Sequence, residues 1–177
     1  MNFVFFDLET QKLFADVGGR DASKLLLACA VTYSTGANDF HVYWENDAPA
    51  LIAELKAADG VIGFNIKRFD YEVLRPYAPA ENFRAIPTLD MMEDIFQALG
   101  FRLSLDSLAK ACLGESKTAD GVQSVKWFRA GELDKVSEYC RADVDLTRRV
   151  YEFGRDNGHV LYYSKLGSKL KVKVNWR

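Results

Sequence analysis

Three short segments of this 177-residue chain set a carboxylate where the local pattern otherwise wants an apolar side chain. They are Phe6-Asp7-Leu8-Glu9-Thr10, Gly63-Phe64-Asn65-Ile66-Lys67-Arg68-Phe69-Asp70 and Tyr139-Cys140-Arg141-Ala142-Asp143. The first closes the most apolar run of the chain, Phe3 to Leu8, which reads as a buried strand. An interior strand of that kind belongs to an α/β sheet whose strand ends open on a ligand-binding edge. Four acids gathered at one such edge repel one another unless cations lie between them. Their donors are all oxygen, which favours Mg²⁺ or Mn²⁺ over zinc.

The rest of the pattern supplies the sheet and its cover. Lys24 to Ser34 and Asp39 to Trp44 read as strands joined by the turn Thr35-Gly36-Ala37-Asn38. Asp47 is placed to N-cap a helix over Ala48 to Ala58, with Pro49 early in it and Gly60 beyond its end. Val61 to Phe64 reads as a short strand and Lys67 to Tyr77 as a helix stopped by Pro76 and Pro79. A further strand is expected at Ile86 to Leu89, with helices over Met91 to Leu99 and Leu105 to Leu113. The polar segment Gly114 to Gly121 reads as a loop, and the longest helix as running from about Gly131 to Gly154. Weak alternation beyond Gly158 predicts a small C-terminal hairpin around Gly167. The sum is one α/β domain over residues 1–177, with a mixed sheet flanked by helices.

A net charge of −2 gives the chain no global basic field. That disfavours a tight, non-specific nucleic-acid coat but not an enzyme that grips a short stretch of substrate through metals. Cys29, Cys112 and Cys140 show no CxxC spacing and stand in apolar runs, so they read as buried free thiols of a reducing cytoplasm. The apolar start ends at Asp7 with no basic segment before it, too short for a signal peptide or a membrane span. A cytoplasmic protein without membrane contact is the expectation.

Each acid also has an ordinary reading. Asp7 and Glu9 leave one face of a strand, which an exposed strand end would also do. Asp70 has the place of a first-turn acid favoured by the helix dipole, and Asn65 that of an N-cap. Asp143 falls between the apolar stripe positions Val136, Cys140, Val144, Thr147 and Tyr151, where a carboxylate needs a partner or a metal. Tyr139 lies four residues before it on the same face, so the two also suit a plain hydrogen bond closing the core edge.

Taken in order, the three segments resemble the DEDD superfamily of 3′–5′ exonucleases, which have a ribonuclease-H-like fold. Asp7 and Glu9 match its first motif, Asp70 its second and Asp143 its third. The GFNIKRFD stretch is similar to the G-x-N-x-x-x-F-D form of family-B polymerase proofreading domains. Tyr139 matches the tyrosine subclass; the histidine subclass would need His where Glu138 stands. The stretches 6–19, 103–117 and 138–143 resemble a bacterial ribonuclease-H-like group found alone or attached to helicases.

The resemblance implies a two-metal 3′–5′ exonuclease acting on the 3′ end of DNA or RNA, with a helicase as a possible partner. It implies that Asp7 bridges two ions of Mg²⁺ or Mn²⁺, that Glu9 and Asp143 hold the ion that generates hydroxide, and that Asp70 holds the other through water. Tyr139 would orient the attacking water, Thr10 would meet the terminal nucleotide, and Asn65 and Phe69 would line its pocket. Lys117 reads either as a phosphate contact or as a solvated loop lysine. Two rivals share the fold: a non-catalytic nucleic-acid or helicase-binding module, and an endonuclease of the ribonuclease H type. Lys165, Lys169, Lys171, Lys173 and Arg177 form a cationic tail that suits either a phosphate-binding edge or ordinary edge protection.

Overall fold

The computed structural model describes residues 1–117 and 119–176. β1 (Phe3–Thr10) is the centre of a five-stranded sheet. On one side it pairs antiparallel with β2 (Leu27–Ser34), which carries β3 (Asp39–Trp44) outside it. On the other it pairs parallel with β4 (Gly60–Gly63), followed by β5 (Thr88–Asp90). The mixed pattern follows from the connections: a tight turn joins β2 to β3, whereas helical crossovers return the chain for β4 and β5.

Two apolar layers sandwich this sheet. α1 (Ala48–Ala57) and α2 (Asp70–Leu74) cover one face, packing on Val4, Phe6 and Leu8 of β1. α3 (Met91–Leu99), α4 (Leu105–Leu113) and the 25-residue α6 (Leu133–Asn157) cover the other, around Phe5, Val31 and Ile62. α5 (Gly121–Arg129) lies against α6 and β1. A hairpin of β6 (His159–Tyr163) and β7 (Lys169–Lys173) closes this second layer. Because strand side chains alternate, Asp7 and Glu9 continue the row of Phe5 and face α6. Among the described residues no helix is long and apolar enough to cross a membrane.

Several elements differ from expectation, each for a local reason. β2 begins at Leu27 because Ala22–Lys24 is a 3₁₀ turn capped by Asp21, and Leu26 takes a left-handed backbone, φ 60. The helix expected over Lys67 to Tyr77 is only five residues of α2 and a 3₁₀ turn at Arg75–Tyr77. Before α2 the chain loops, with Asn65 left-handed at φ 69, a conformation Asn tolerates better than most residues. Asn65 is therefore not an N-cap. Asp47 holds the N-cap position of α1 but makes no cap bond there; its carboxylate accepts from the Trp44 amide at 3.0 Å. α5 was absent from the expected set. Cys29 and Cys140 are buried free thiols, whereas Cys112 is half-buried and its sulfur accepts from the Leu161 amide at 3.1 Å. Arg177 lies outside the described residues.

Two glycines mark close approaches. A Cβ on Gly63 would stand 2.5 Å from Ile66 and 2.9 Å from the Phe6 carbonyl, so the exit of β4 has room only for hydrogen. A Cβ on Gly154 would meet the Trp176 ring at 2.5 Å, which lets the chain's last aromatic seat against α6.

Candidate active site

The acids meet at the end of β1, where regular pairing with β2 slips between Glu9 and Thr10. Irregularities of this kind re-aim side chains at sheet edges. α6 supplies the opposing wall with Tyr139, Cys140 and Asp143, all buried. The Cys140 thiol lies beneath Asp7, 3.4 Å from its carbonyl oxygen and 3.9 Å from Oδ2. One carboxylate oxygen from each of Asp7, Glu9 and Asp143 lies within 4.8 Å of the other two. Asp70 stands at the first residue of α2, where its Oδ1 accepts from the Leu8 amide at 3.2 Å. It lines the same cleft outside the three-acid group.

These carboxyls resist ionisation together. Burial raises the pKa of Asp7 well above its ordinary value, and the charges of Asp70, Asp143 and Glu9 add to it while Lys117 opposes. Burial likewise pushes Glu9 up to about 7, with the adjacent Ser124 hydroxyl holding it down somewhat. Asp70 and Asp143 are raised too, burial being the main cause in both. A set of crowded, largely desolvated oxygen donors is what a hard divalent cation relieves, so the residues fit such an ion.

The cation present is Lys117. Its Nζ lies 2.5 Å from Asp143 Oδ2 and 5.3 Å from the Tyr139 ring centroid. Burial works against its charge, yet Asp143 and Asp7 outweigh that and hold its pKa above the ordinary lysine value. The solvated-loop reading of Lys117 thus fails: its side chain is 26% exposed and buried among acids.

The raised carboxyls set a pH dependence. Acids whose pKa is higher folded than unfolded contribute stability that is present at low pH and lost as pH rises through the folded value. For Glu9 that window runs from about 4.5 to about 7. The metal-free protein is therefore expected to melt at higher temperature at pH 6 than at pH 8. Calorimetry in EDTA checks this, and a flat or inverted profile would contradict the electrostatic picture. Lys117 stays charged throughout that range and does not alter the sign.

The remaining expected contacts spread around one cleft of about 390 Å³. Thr10 lines it, but its hydroxyl donates to the Lys12 carbonyl at 2.9 Å. Asn65 and Phe69 line it as well, and Phe69 meets Phe14 edge to face at 6.1 Å. The cleft thus pairs an acidic floor with an aromatic end. A larger depression of about 990 Å³ lies between α2 and the segment before β5. It lacks the three-acid group, and Lys67–Glu93 and Arg75–Glu72 pair off within it, so the chemistry favours the smaller cleft.

Two residues with clear roles here escaped the sequence reading. Ser124 of α5 is fully buried beside Glu9, with no well-aligned hydrogen-bond partner for its hydroxyl. Asp90 is 2% exposed and collects four backbone amides: Asn65 at 2.8, Lys67 at 3.1, Met92 at 3.1 and Glu93 at 3.3 Å. It caps α3 and fixes the loop that delivers Phe69 and Asp70. Asp90→Ala leaves those amides unpaired and is expected to cost on the order of 3 kcal/mol. Urea melting measures this; stability within 0.5 kcal/mol of the parent, the range typical of neutral surface changes, would show that other groups hold the loop.

A mixed five-stranded sheet, helices on both faces and acids at the end of the central strand define a ribonuclease-H-like α/β fold. Residues 4–153 match the family model of the RNase H superfamily, and the chain belongs to that superfamily. Among solved structures it is similar to the family B DNA polymerase from the hyperthermophilic archaeon Pyrobaculum calidifontis, with a TM-score of 0.68 at 14% identity. The match covers 87% of this chain and 24% of the polymerase, so the chain spans about a quarter of that protein. No curated protein matches. Nuclease activity on nucleic acid is what the superfamily suggests.

Proposed function

We propose that this protein is a divalent-metal-dependent 3′–5′ exonuclease. The observation that carries the reading is the trio of carboxylate oxygens within 4.8 Å of one another on the floor of a cleft with an aromatic end. At about 390 Å³ the cleft is near the lower limit of small-ligand sites, which suits the end of a strand better than a duplex. The order of the acids, with Tyr139 four residues before Asp143, supports the same reading.

Asp7, Glu9 and Asp143, with Asp70 alongside, would hold Mg²⁺ or Mn²⁺. Bound there, such ions supply a nucleophile at neutral pH and offset charge on the leaving oxygen. Phe14 and Phe69 offer apolar surface to the terminal base. Burial raises the pKa of the Tyr139 phenol, so it stays protonated and acts through hydrogen bonds rather than as a base. Its hydroxyl donates to the Ala119 carbonyl at 3.2 Å, which leaves the phenol oxygen free to accept from a water and so orient it. Lys117 can reach a phosphate once its bond to Asp143 is exchanged. A helicase partner and a cytoplasmic location rest on the sequence reading alone.

Matched 5′-labelled DNA and RNA oligonucleotides with Mg²⁺, Mn²⁺ or EDTA test the proposal. A ladder of products shortened from the 3′ end should appear with either ion and vanish in EDTA. Cuts within a circular strand would favour an endonuclease, and undiminished cleavage in EDTA would remove the metal from the reaction.

A further inference from the structure

The acids of this chain end at Asp156, and the following residues carry only positive charge. Residues 1–158 hold 18 Lys and Arg against 25 Asp and Glu, a net of −7, while Lys165, Lys169, Lys171, Lys173 and Arg177 follow with no acid among them. A modest overall charge of −2 therefore conceals two regions of opposite sign.

The hairpin arranges these lysines on one side. In its antiparallel register Lys169 stands opposite Tyr163, Lys171 opposite Leu161 and Lys173 opposite His159. Val160, Tyr162, Val172 and Val174 turn inward to the second apolar layer. The outward face thus shows three lysines two residues apart, hence about 7 Å from one to the next. Tyr163 is 46% exposed at the tip end, and Lys169 Nζ lies 5.7 Å from its ring centroid. Among the described residues none of the four hairpin lysines has a carboxylate within 4 Å. By contrast six of the eight earlier lysines have one, namely Lys24, Lys56, Lys67, Lys110, Lys117 and Lys135, with Lys12 and Lys126 the exceptions among the described residues. Simple edge protection asks for charge but not for its complete segregation from acids or an adjoining exposed aromatic.

We propose that the outward face of the C-terminal hairpin is a second nucleic-acid contact, which holds the single strand upstream of the cleft through Lys169, Lys171, Lys173 and Tyr163. Charge complementarity names the occupant: spaced lysines neutralise consecutive phosphates, and an exposed tyrosine gives a base a stacking platform. This rests on the nuclease reading for the identity of the strand. α6 sets the distance, since about 21 Å of helix separates Asp143 from the start of the hairpin. A strand whose successive phosphates match lysines about 7 Å apart advances about 7 Å per nucleotide, so a dinucleotide reaches only about 14 Å and can fill the cleft without touching the lysines.

The test compares the parent with the triple variant Lys169→Gln, Lys171→Gln, Lys173→Gln, using a dinucleotide and a single-stranded 20-mer. Binding is read by fluorescence anisotropy in EDTA across a salt series, so that it needs no turnover. For the 20-mer, the slope of log K against log salt should be shallower in the variant by about 2, since each phosphate contact to a single strand contributes about 0.7. In Mg²⁺, the variant's KM should rise for the 20-mer and stay unchanged for the dinucleotide, which also shows that its cleft is folded. Equal slopes for the two proteins would overturn the proposal. So would a variant that loses only binding to phosphatidylserine vesicles, which would assign the face to a membrane surface. If the parent cleaves neither oligonucleotide while the slopes still differ, the nuclease reading fails and the hairpin contact stands.

Discussion

Asp7→Asn is expected to lower phosphodiester cleavage by more than the roughly 10–100-fold that substitutions outside the immediate metal ligands cost. It is also expected to raise the metal-free melting temperature at pH 8. The two effects have one origin. Asp7 is half-buried within reach of Asp70, Asp143 and Glu9, all of which disfavour its charge, and only Lys117 favours it. An ion converts that repulsion into coordination; without one, the uncharged amide is the better tenant. The stabilisation should shrink toward pH 5, where the carboxyls of the parent take up protons. Melting curves at pH 5 and pH 8 in EDTA, on the preparations used for turnover, decide the matter. A marked fall in metal-free stability at pH 8 would make Asp7 a structural acid and remove the case for a metal on this strand.

Tyr139→Phe removes one hydroxyl and keeps the ring, which packs edge to face on Trp127 at 6.1 Å. If the phenol orients the attacking water, turnover should fall by about 10²–10⁴-fold while metal affinity barely changes. The structure supplies the competing account: the hydroxyl donates to Ala119 and ties α6 to the loop before α5. Were that its whole role, the substitution would cost about 1 kcal/mol of stability and leave activity near normal. Measuring rate, Mn²⁺ affinity and melting together separates the outcomes. Full activity in the Phe variant would falsify the mechanistic role and leave the carboxylates as the entire chemical apparatus.

Features governed by neighbours along the chain were legible in the sequence. Alternation placed Asp7 and Glu9 on one face of β1, and helix period placed Tyr139 and Asp143 together on α6. The bounds of α3 and α4 follow from Gly100 and Gly114, which take the left-handed C-cap of each helix. What escaped depends on partners far away in sequence. The loop at Asn65 exists because Asp90, 25 residues on, draws two of its amides out of any helix. α5 is short and begins at a glycine, and much of its support comes from α6 and β1. Lys117 looks like a solvent lysine within its own polar segment; only the fold brings Asp143 to its ammonium.

That ammonium gives the protein a resident counter-ion. Many small metallo-domains stay unfolded until the metal arrives, whereas here a side chain already sits against the acids. The chain can finish folding first and meet its ion afterwards. Loading of a divalent ion would then be an exchange of one cation for another, its pace set by the departure of Lys117 from Asp143. In stopped-flow mixing with Mn²⁺ the observed rate should reach a plateau as ion concentration rises, and the plateau should disappear in Lys117→Ala.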